Sequence, residues 1–378
     1  MASNRHPSER PASMVYLSRA RLHRPRANVI QTLKTVEGLE RIGVPVELHL
    51  PPWKGQRSLE ELLAHHGVTR PLDIRAHAGL RSLWKPIGFA PFFWKYEKTL
   101  RQSRAVFTRS ADLSLVLIRR GISHSFEVHD MDALCRHGTL ERLLEAHARG
   151  LLRHFFPISH AAARGLMDRG VTPACIHVCP CGADLSLFQD MAPWNPSGLT
   201  NPHVMYLGRI SRDRGLDILE ALAERAGCRV TVVGVLEDRP KTDRLQVVPF
   251  VPHRKVPRYL EQADIVVMPY QRHLAHAGSI SPMKLFEAMA AGRPILVSDL
   301  EPIREIIHHG QNGLCVPPDD EKAWIEAVRF LREHPQEAHR MAIQAQKDAS
   351  RFGWESRARR LQEVLWNNNS ASEHDRKS

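Results

Sequence analysis

The chain has 378 residues, 43% of them hydrophobic and 25% charged, the balance of a soluble globular protein too long for one ordinary domain. No apolar run approaches the ~20 residues that cross a bilayer. The opening MASNRHPSERPASMVYL lacks the apolar core of about 7–15 residues that a secretory signal needs, and six cysteines are too few for a disulfide scaffold in so long a chain. A cytoplasmic protein with reduced thiols is expected. The formal charge is +12, and residues 1–200 hold 27 Lys and Arg against 17 Asp and Glu, whereas the rest holds 26 against 24. The first half is therefore directed at something anionic: phosphates, an acidic polymer or an anionic membrane surface. Zinc-finger spacing, an aromatic RNP-type strand and a basic heptad region are all missing from the sequence, which weighs against nucleic acid.

In chain order, Met14–Leu17 reads as a strand, and the loop from Arg19 to Asn28 carries four arginines, Arg24 and Arg26 among them. Val29, Leu33, Val36 and Leu39 mark one face of a helix. A strand follows at 44–48. The stretch from Trp84 to Lys98 interleaves Trp84, Phe89, Phe92, Phe93, Trp94 and Tyr96 with lysines. Its plainer reading is a helix whose aromatic face packs on a sheet; the alternative is a patch for a membrane surface. Strands are predicted at 105–108, 125–128 and 155–158. His129 stands just after the second of these, and Glu127 within it reads as facing the sheet or capping a neighbour. Asp130-Met131-Asp132 has the form of a metal motif but is better explained as a helix N-cap. Cys175, Cys179 and Cys181 lack a fourth ligand of suitable spacing and read as buried thiols.

Residues 189–203 have the Pro, Asn, Gly and Ser content of a linker. Beyond them strands are expected at 203–207, 230–233, 265–268, 294–297 and 314–316. Strands alternating with helical patterns mean βαβ units and parallel sheets. The division is a first domain at 1–188, joined by a helix near 354–367, and a second at 204–353, with a disordered tail at 368–378. Facing α/β domains bind ligands in the cleft at the carboxyl ends of their strands. Gly208, Arg209 and Arg214 fall in a strand-to-helix turn where two guanidiniums can grip a diphosphate. Ser281, Pro282, Met283, Lys284 and Leu285 open a helix, with Ser281 as expected cap, whose free amides suit an anion. Glu287 lies about one and a half turns in, able to accept hydrogen bonds from sugar hydroxyls. No GxGxxG, Walker A or GxSxG pattern occurs, which argues against a nicotinamide enzyme, a P-loop ATPase and a serine hydrolase.

The segments GRISRDRGLDIL, VTVVGV, YLEQADIVVMPY, KLFEAMAAGRPILVSD and EIIHHGQNGLCVPPDD, with looser matches VYLSRA, FEVHD, FFPISHAAARGL and VCPCGADLSLF in the first half, resemble the retaining glycosyltransferases of the GT-B fold, family 4 type (glycosyl transferases group 1). The resemblance implies two facing Rossmann-like domains and transfer of a sugar from a nucleotide-diphosphate donor to a glycan, lipid-linked or phosphate-bearing acceptor, with retention and without metal or other cofactor. It makes Arg209 and Arg214 the stabilisers of the departing diphosphate, although the second position is usually lysine. It places Glu287 on the donor ribose and His129 near the donor sugar. The family's first glutamate falls at 279, where this chain has Ser279. The loop with Arg24 and Arg26 replaces a glycine-rich acceptor-side loop and suits an anionic acceptor. A sugar-nucleotide epimerase or hydrolase, or a catalytically silent binding protein, is the rival expectation, and a peripheral contact with an anionic membrane is the further one.

Overall fold

The computed structural model of the protein describes residues 14–24, 26–81, 89–136 and 138–367. In the first half, β1 (Met14–Leu17), β2 (Val46–Leu50), β3 (Asp73–Ala76), β4 (Ala105–Thr108), β5 (His124–Val128) and β6 (Leu152–Pro157) form one sheet in the order β3-β2-β1-β4-β5-β6. In the second, β7 (His203–Leu207), β8 (Arg229–Gly234), β9 (Leu245–Pro249), β10 (Ile265–Met268), β11 (Ile295–Ser298) and β12 (Leu314–Val316) form another in the order β12-β11-β10-β7-β8-β9. All strand pairs are parallel. Both sheets follow the doubly wound order, reversing beside β1 and beside β7, and the reversal opens a crevice at the carboxyl ends of those strands.

Strands covered on both faces read as continuous apolar runs, and β1, β4, β7, β10 and β11 are buried throughout. The helix Ala27–Arg41 is buried from Val29 to Leu39, because the sheet covers one side and the closing helix Trp354–Asn367 another. Ala358, Leu361 and Leu365 of that closing helix join the first-domain core around Leu33, Val36 and Leu39. The helix Ala90–Gln102 buries Phe92, Phe93, Tyr96 and Leu100, while Trp94 points outward, 88% exposed. The expectations for Trp84 and for the tail 368–378 lie outside the described residues.

The chain passes between the domains twice, and the two passages hold each other. The Ala183 N–H donates to Phe352 O at 2.9 Å, and the Trp354 N–H donates to Ala183 O at 3.3 Å. His203, where the expected linker and the expected strand 203–207 overlap, is the first residue of β7. Its ring lies 2.9 Å from Gln262 O and 2.7 Å from Thr231 Oγ1, so the polar side chain that looks like linker is satisfied inside the sheet.

Candidate active site

The second-domain side of the cleft is built on the turn after β7. Gly208 has φ 151°, and a Cβ there would fall 1.8 Å from Lys284 Nζ, so glycine is needed for the close approach of the ammonium. Tyr206 donates its hydroxyl to Arg209 O at 2.7 Å and fixes the turn from below. The Arg209 side chain is half exposed, with Nη1 3.2 Å from Glu237 Oε1. Arg214 is buried at the start of the next helix, its Nη1 2.9 Å from each Asp213 carboxylate oxygen.

Opposite this turn stands the helix Met283–Ala290, with Pro282 at its cap, no side-chain cap bond and no acid in its first turn. The amides of Met283 and Lys284 have no intrahelical acceptor and lie at the positive end of the helix dipole. Burial pushes the Lys284 ammonium down to about 7; Glu287 pulls the other way, and Arg214 and Arg209 add to the depression. Two expectations are corrected. Ser281 does not cap the helix: its Oγ accepts from the Cys181 N–H at 3.1 Å, because the interdomain passage lies against it. Leu285 packs wholly in the core and its amide donates to Pro282 O, so neither group is left for a ligand.

Glu287 is buried on the same helix, with Oε1 2.6 Å from His253 Nε2. His253 was not among the expected residues. The loop carrying it follows β9, a strand the sequence pattern hides.

On the first-domain side, β5 delivers Glu127 and His129. Glu127 is fully buried and accepts from Gln31 Nε2 at 2.7 Å and from the Arg357 guanidinium. Burial alone would raise its carboxyl, but Arg357, then His129 and Arg109, hold it well below the ordinary range. His129 Nε2 lies 3.1 Å from Glu127 Oε1, outside hydrogen-bonding alignment. Burial, reinforced by Arg109, pushes the imidazole down to about 4, so it is neutral at pH 7. Asp130 Oδ1 accepts from the Ala133 N–H at 2.8 Å, the N-capping geometry of the helix Met131–Arg136. Across the cleft stands His276, whose ring is pushed down by burial and then by Arg214.

The domains meet at several points. Ser279 Oγ donates to His129 O at 3.2 Å, so the residue in the place of the family's first glutamate holds the two sides together. Glu305 accepts from the His160 and Ala161 amides at 2.7 and 2.6 Å through its two oxygens, and Arg164 pairs with Glu301 at 2.5 Å.

Arg24 and Arg26 stay on the first-domain rim. They are exposed, and neither side chain has a hydrogen-bond or ionic partner among the described residues. With Arg19 and Arg81 they surround Arg21, whose guanidinium is pushed below its usual value by partial burial and then by these neighbours. The structure thus gathers Gly208, Arg209, Arg214, Lys284 and Glu287 on one wall and His129 on the other, with the Arg24 and Arg26 rim set apart. All six cysteines are free thiols. Among the described residues no group of three or more His, Cys, Asp or Glu side chains is arranged to hold a metal ion.

Residues 201–334 match the family described as glycosyl transferases group 1. The D-inositol 3-phosphate glycosyltransferase of Xylanimonas cellulosilytica is 27% identical over 218 residues, 50% of either chain. The amylovoran biosynthesis glycosyltransferase AmsK of Erwinia amylovora is 27% identical over 260 residues, 63% of this chain and 62% of that one. The chain spans about half the length of the curated relatives it matches. Among solved structures, HepE of Anabaena in complex with UDP and glucose has a TM-score of 0.68 at 17% identity, over 94% of this chain and 100% of its own. Sucrose-phosphate synthase of Thermosynechococcus elongatus has a TM-score of 0.70 at 18% identity, over 95% and 100%. The fold is therefore GT-B, and the match to glycosyl transferases group 1 falls on its second domain.

Proposed function

We propose that the protein is a retaining, family 4 type glycosyltransferase that takes a sugar from a nucleotide-diphosphate donor and passes it to an acceptor held by the first domain. The observation that carries this reading is the grouping of Arg209, Arg214 and Lys284 around Gly208, against the uncapped start of the helix Met283–Ala290. Two guanidiniums, a lysine that a diphosphate keeps charged and two free amides suit the diphosphate, and they stand where negative charge grows as the sugar–phosphate bond breaks. Glu287 accepts from the ribose hydroxyls. His129, neutral and standing on the other wall, hydrogen-bonds the transferred sugar. With the leaving phosphate stabilised in this way, the acceptor hydroxyl enters on the face the phosphate leaves, which preserves configuration without a protein nucleophile. The basic rim of Arg24 and Arg26 receives an anionic or phosphate-bearing acceptor. This chemistry requires no metal or other cofactor.

The outward side of the helix Ala90–Gln102, with exposed Trp94, Lys95 and Lys98, supports a peripheral contact with an anionic membrane. No helix among the described residues is long and apolar enough to cross one.

A thermal-shift screen against UDP-, GDP- and ADP-sugars, followed by product detection, tests the reading, since a ligand that binds only the native state raises its melting point. A shift with one donor, lost when Arg209 and Arg214 are both replaced, supports it. Consumption of the donor with no acceptor would favour an epimerase or hydrolase. Binding without turnover would favour a silent binding protein.

A further inference from the structure

His253 is the one residue among those described whose side chain hydrogen-bonds Glu287, and the geometry fixes how. A carboxylate oxygen 2.6 Å from Nε2 accepts, so Nε2 carries the proton it donates. The other ring nitrogen, Nδ1, is buried without a partner. It faces Gly67 of the first domain, where a Cβ would lie 3.0 Å from it. The turn at Gly67 is itself tied down by a buried lysine. Its φ is 76°, and its carbonyl accepts from Lys34 Nζ at 2.5 Å. Lys34, almost fully buried, is held in turn by Glu37 and Asp184, each at 2.8 Å. The imidazole is thus held between a turn of one domain and a carboxylate of the other. A buried polar nitrogen left unpaired costs stability, and a clamp with that defect calls for a role that core packing does not supply.

We propose that His253 is a positioning residue: it holds Glu287 Oε1 so that Oε2 is aimed at the ribose hydroxyls of the nucleotide diphosphate. The inference rests on the ribose role given to Glu287 above. Without the histidine, the carboxylate keeps its place on the helix but loses its direction. Recognition of the ribose hydroxyls then fails, while the diphosphate contacts of Arg209, Arg214 and Lys284 remain. Gly67 gives the same device a second property, because the ring is braced only while the domains are together.

The test compares binding of UDP, GDP or ADP, whichever the wild type takes, with binding of its 2′,3′-dideoxy counterpart by calorimetry. Wild type is expected to prefer the ribonucleotide by about tenfold, the worth of one charge-assisted hydrogen bond. His253→Ala is expected to bring that ratio to within about twofold while binding of the dideoxy form hardly changes. His253→Gln, whose amide can donate from nearly the place of Nε2, is expected to restore most of the preference. A merely structural histidine would weaken both ligands alike. Full preference in His253→Ala overturns the proposal, as does His253→Gln behaving no better than alanine. A wild type that binds no nucleotide diphosphate removes the functional reading itself, and one that binds without preferring ribose removes the role of Glu287; in both cases the inference falls with its premise.

Discussion

Arg357 of the closing helix and Glu127 at the end of β5 form an ion pair in which both side chains are almost entirely excluded from solvent. The same guanidinium donates to Pro180 O at 2.7 Å and to Thr35 Oγ1 at 3.2 Å, so one side chain ties the closing helix to the first sheet, the helix Ala27–Arg41 and the interdomain passage. Replacing Arg357 by Ala leaves a buried carboxylate without its counter-charge, and the expected loss is about 3–5 kcal/mol by urea denaturation. Removing both charges together, as Arg357→Met with Glu127→Gln, is expected to recover a large part of it. Since Arg357 holds the folded carboxyl below its ordinary value of 4.5, the pair's contribution is full above that pH and is lost as the pH falls below it. A single variant losing less than about 1 kcal/mol would show the pair to be incidental.

Lys284 carries a second pH dependence, of opposite sign and on binding. Burial holds its ammonium down at about 7 before a ligand arrives, so at pH 8 most molecules hold it neutral. A bound diphosphate favours the charged form. Binding at pH 8 is therefore expected to take up close to one proton, and affinity should fall towards tenfold per pH unit above 7. Below pH 6 the lysine is already charged and the uptake disappears. Calorimetry in buffers of different ionisation enthalpy reads the proton directly, and Lys284→Met should abolish it. The same uptake in that variant would move the titration to another group.

Arg209 and Arg214 differ in what they must give up for a ligand. Arg214 is buried and already oriented by Asp213, whereas Arg209 is half exposed and spends one nitrogen on Glu237. Alanine at either position is expected to slow transfer by roughly 10²-fold, as for other groups that stabilise developing negative charge. Glu237→Gln should do the reverse on binding. It frees Arg209 from an exposed pair worth no more than about 1 kcal/mol, so donor affinity should rise up to about fivefold. Unchanged transfer rates in both alanine variants would remove the diphosphate role.

The parallel α/β architecture was legible in the buried strands because an unbroken apolar run such as Ile265–Met268 has few other readings. Two strands were not legible. β3, DIRA, has one aliphatic residue besides alanine and a half-exposed, polar course, and β9, LQVVP, is exposed along most of its length; both are edge strands, which need no apolar pattern. The loss of β9 also hid His253, since a loop is marked as a site by the strand it follows. Turn positions such as Arg209 and Arg214 could be read from local order. Contacts such as Arg357 to Glu127, Ser279 to His129 and Gly67 to His253 join residues far apart in the chain, and spacing carries no information about them. The polar Glu127, buried in β5, was the nearest thing to a signal, because a carboxylate inside a sheet requires a partner.

The face presented by Trp94 gives the remaining prediction. The rest of the aromatic cluster packs inward, Phe92 and Tyr96 stacking with ring centres 5.2 Å apart, so the exposed indole is not completing the core. Lys95 and Lys98 stand beside it. An aromatic ring flanked by cations fits the headgroup zone of an anionic bilayer, where each lysine contributes about 1 kcal/mol. Sedimentation with phosphatidylglycerol-rich vesicles should carry the protein down, and pure phosphatidylcholine vesicles should not. Trp94→Ala is expected to weaken that binding at all salt concentrations, because it removes apolar contact. Lys95→Glu with Lys98→Glu should abolish the part that salt screens. Because the helix meets the sheet through its opposite side, neither change should alter nucleotide binding. Equal sedimentation by wild type and the charge-reversed variant would assign the attraction to the Arg24 and Arg26 rim instead.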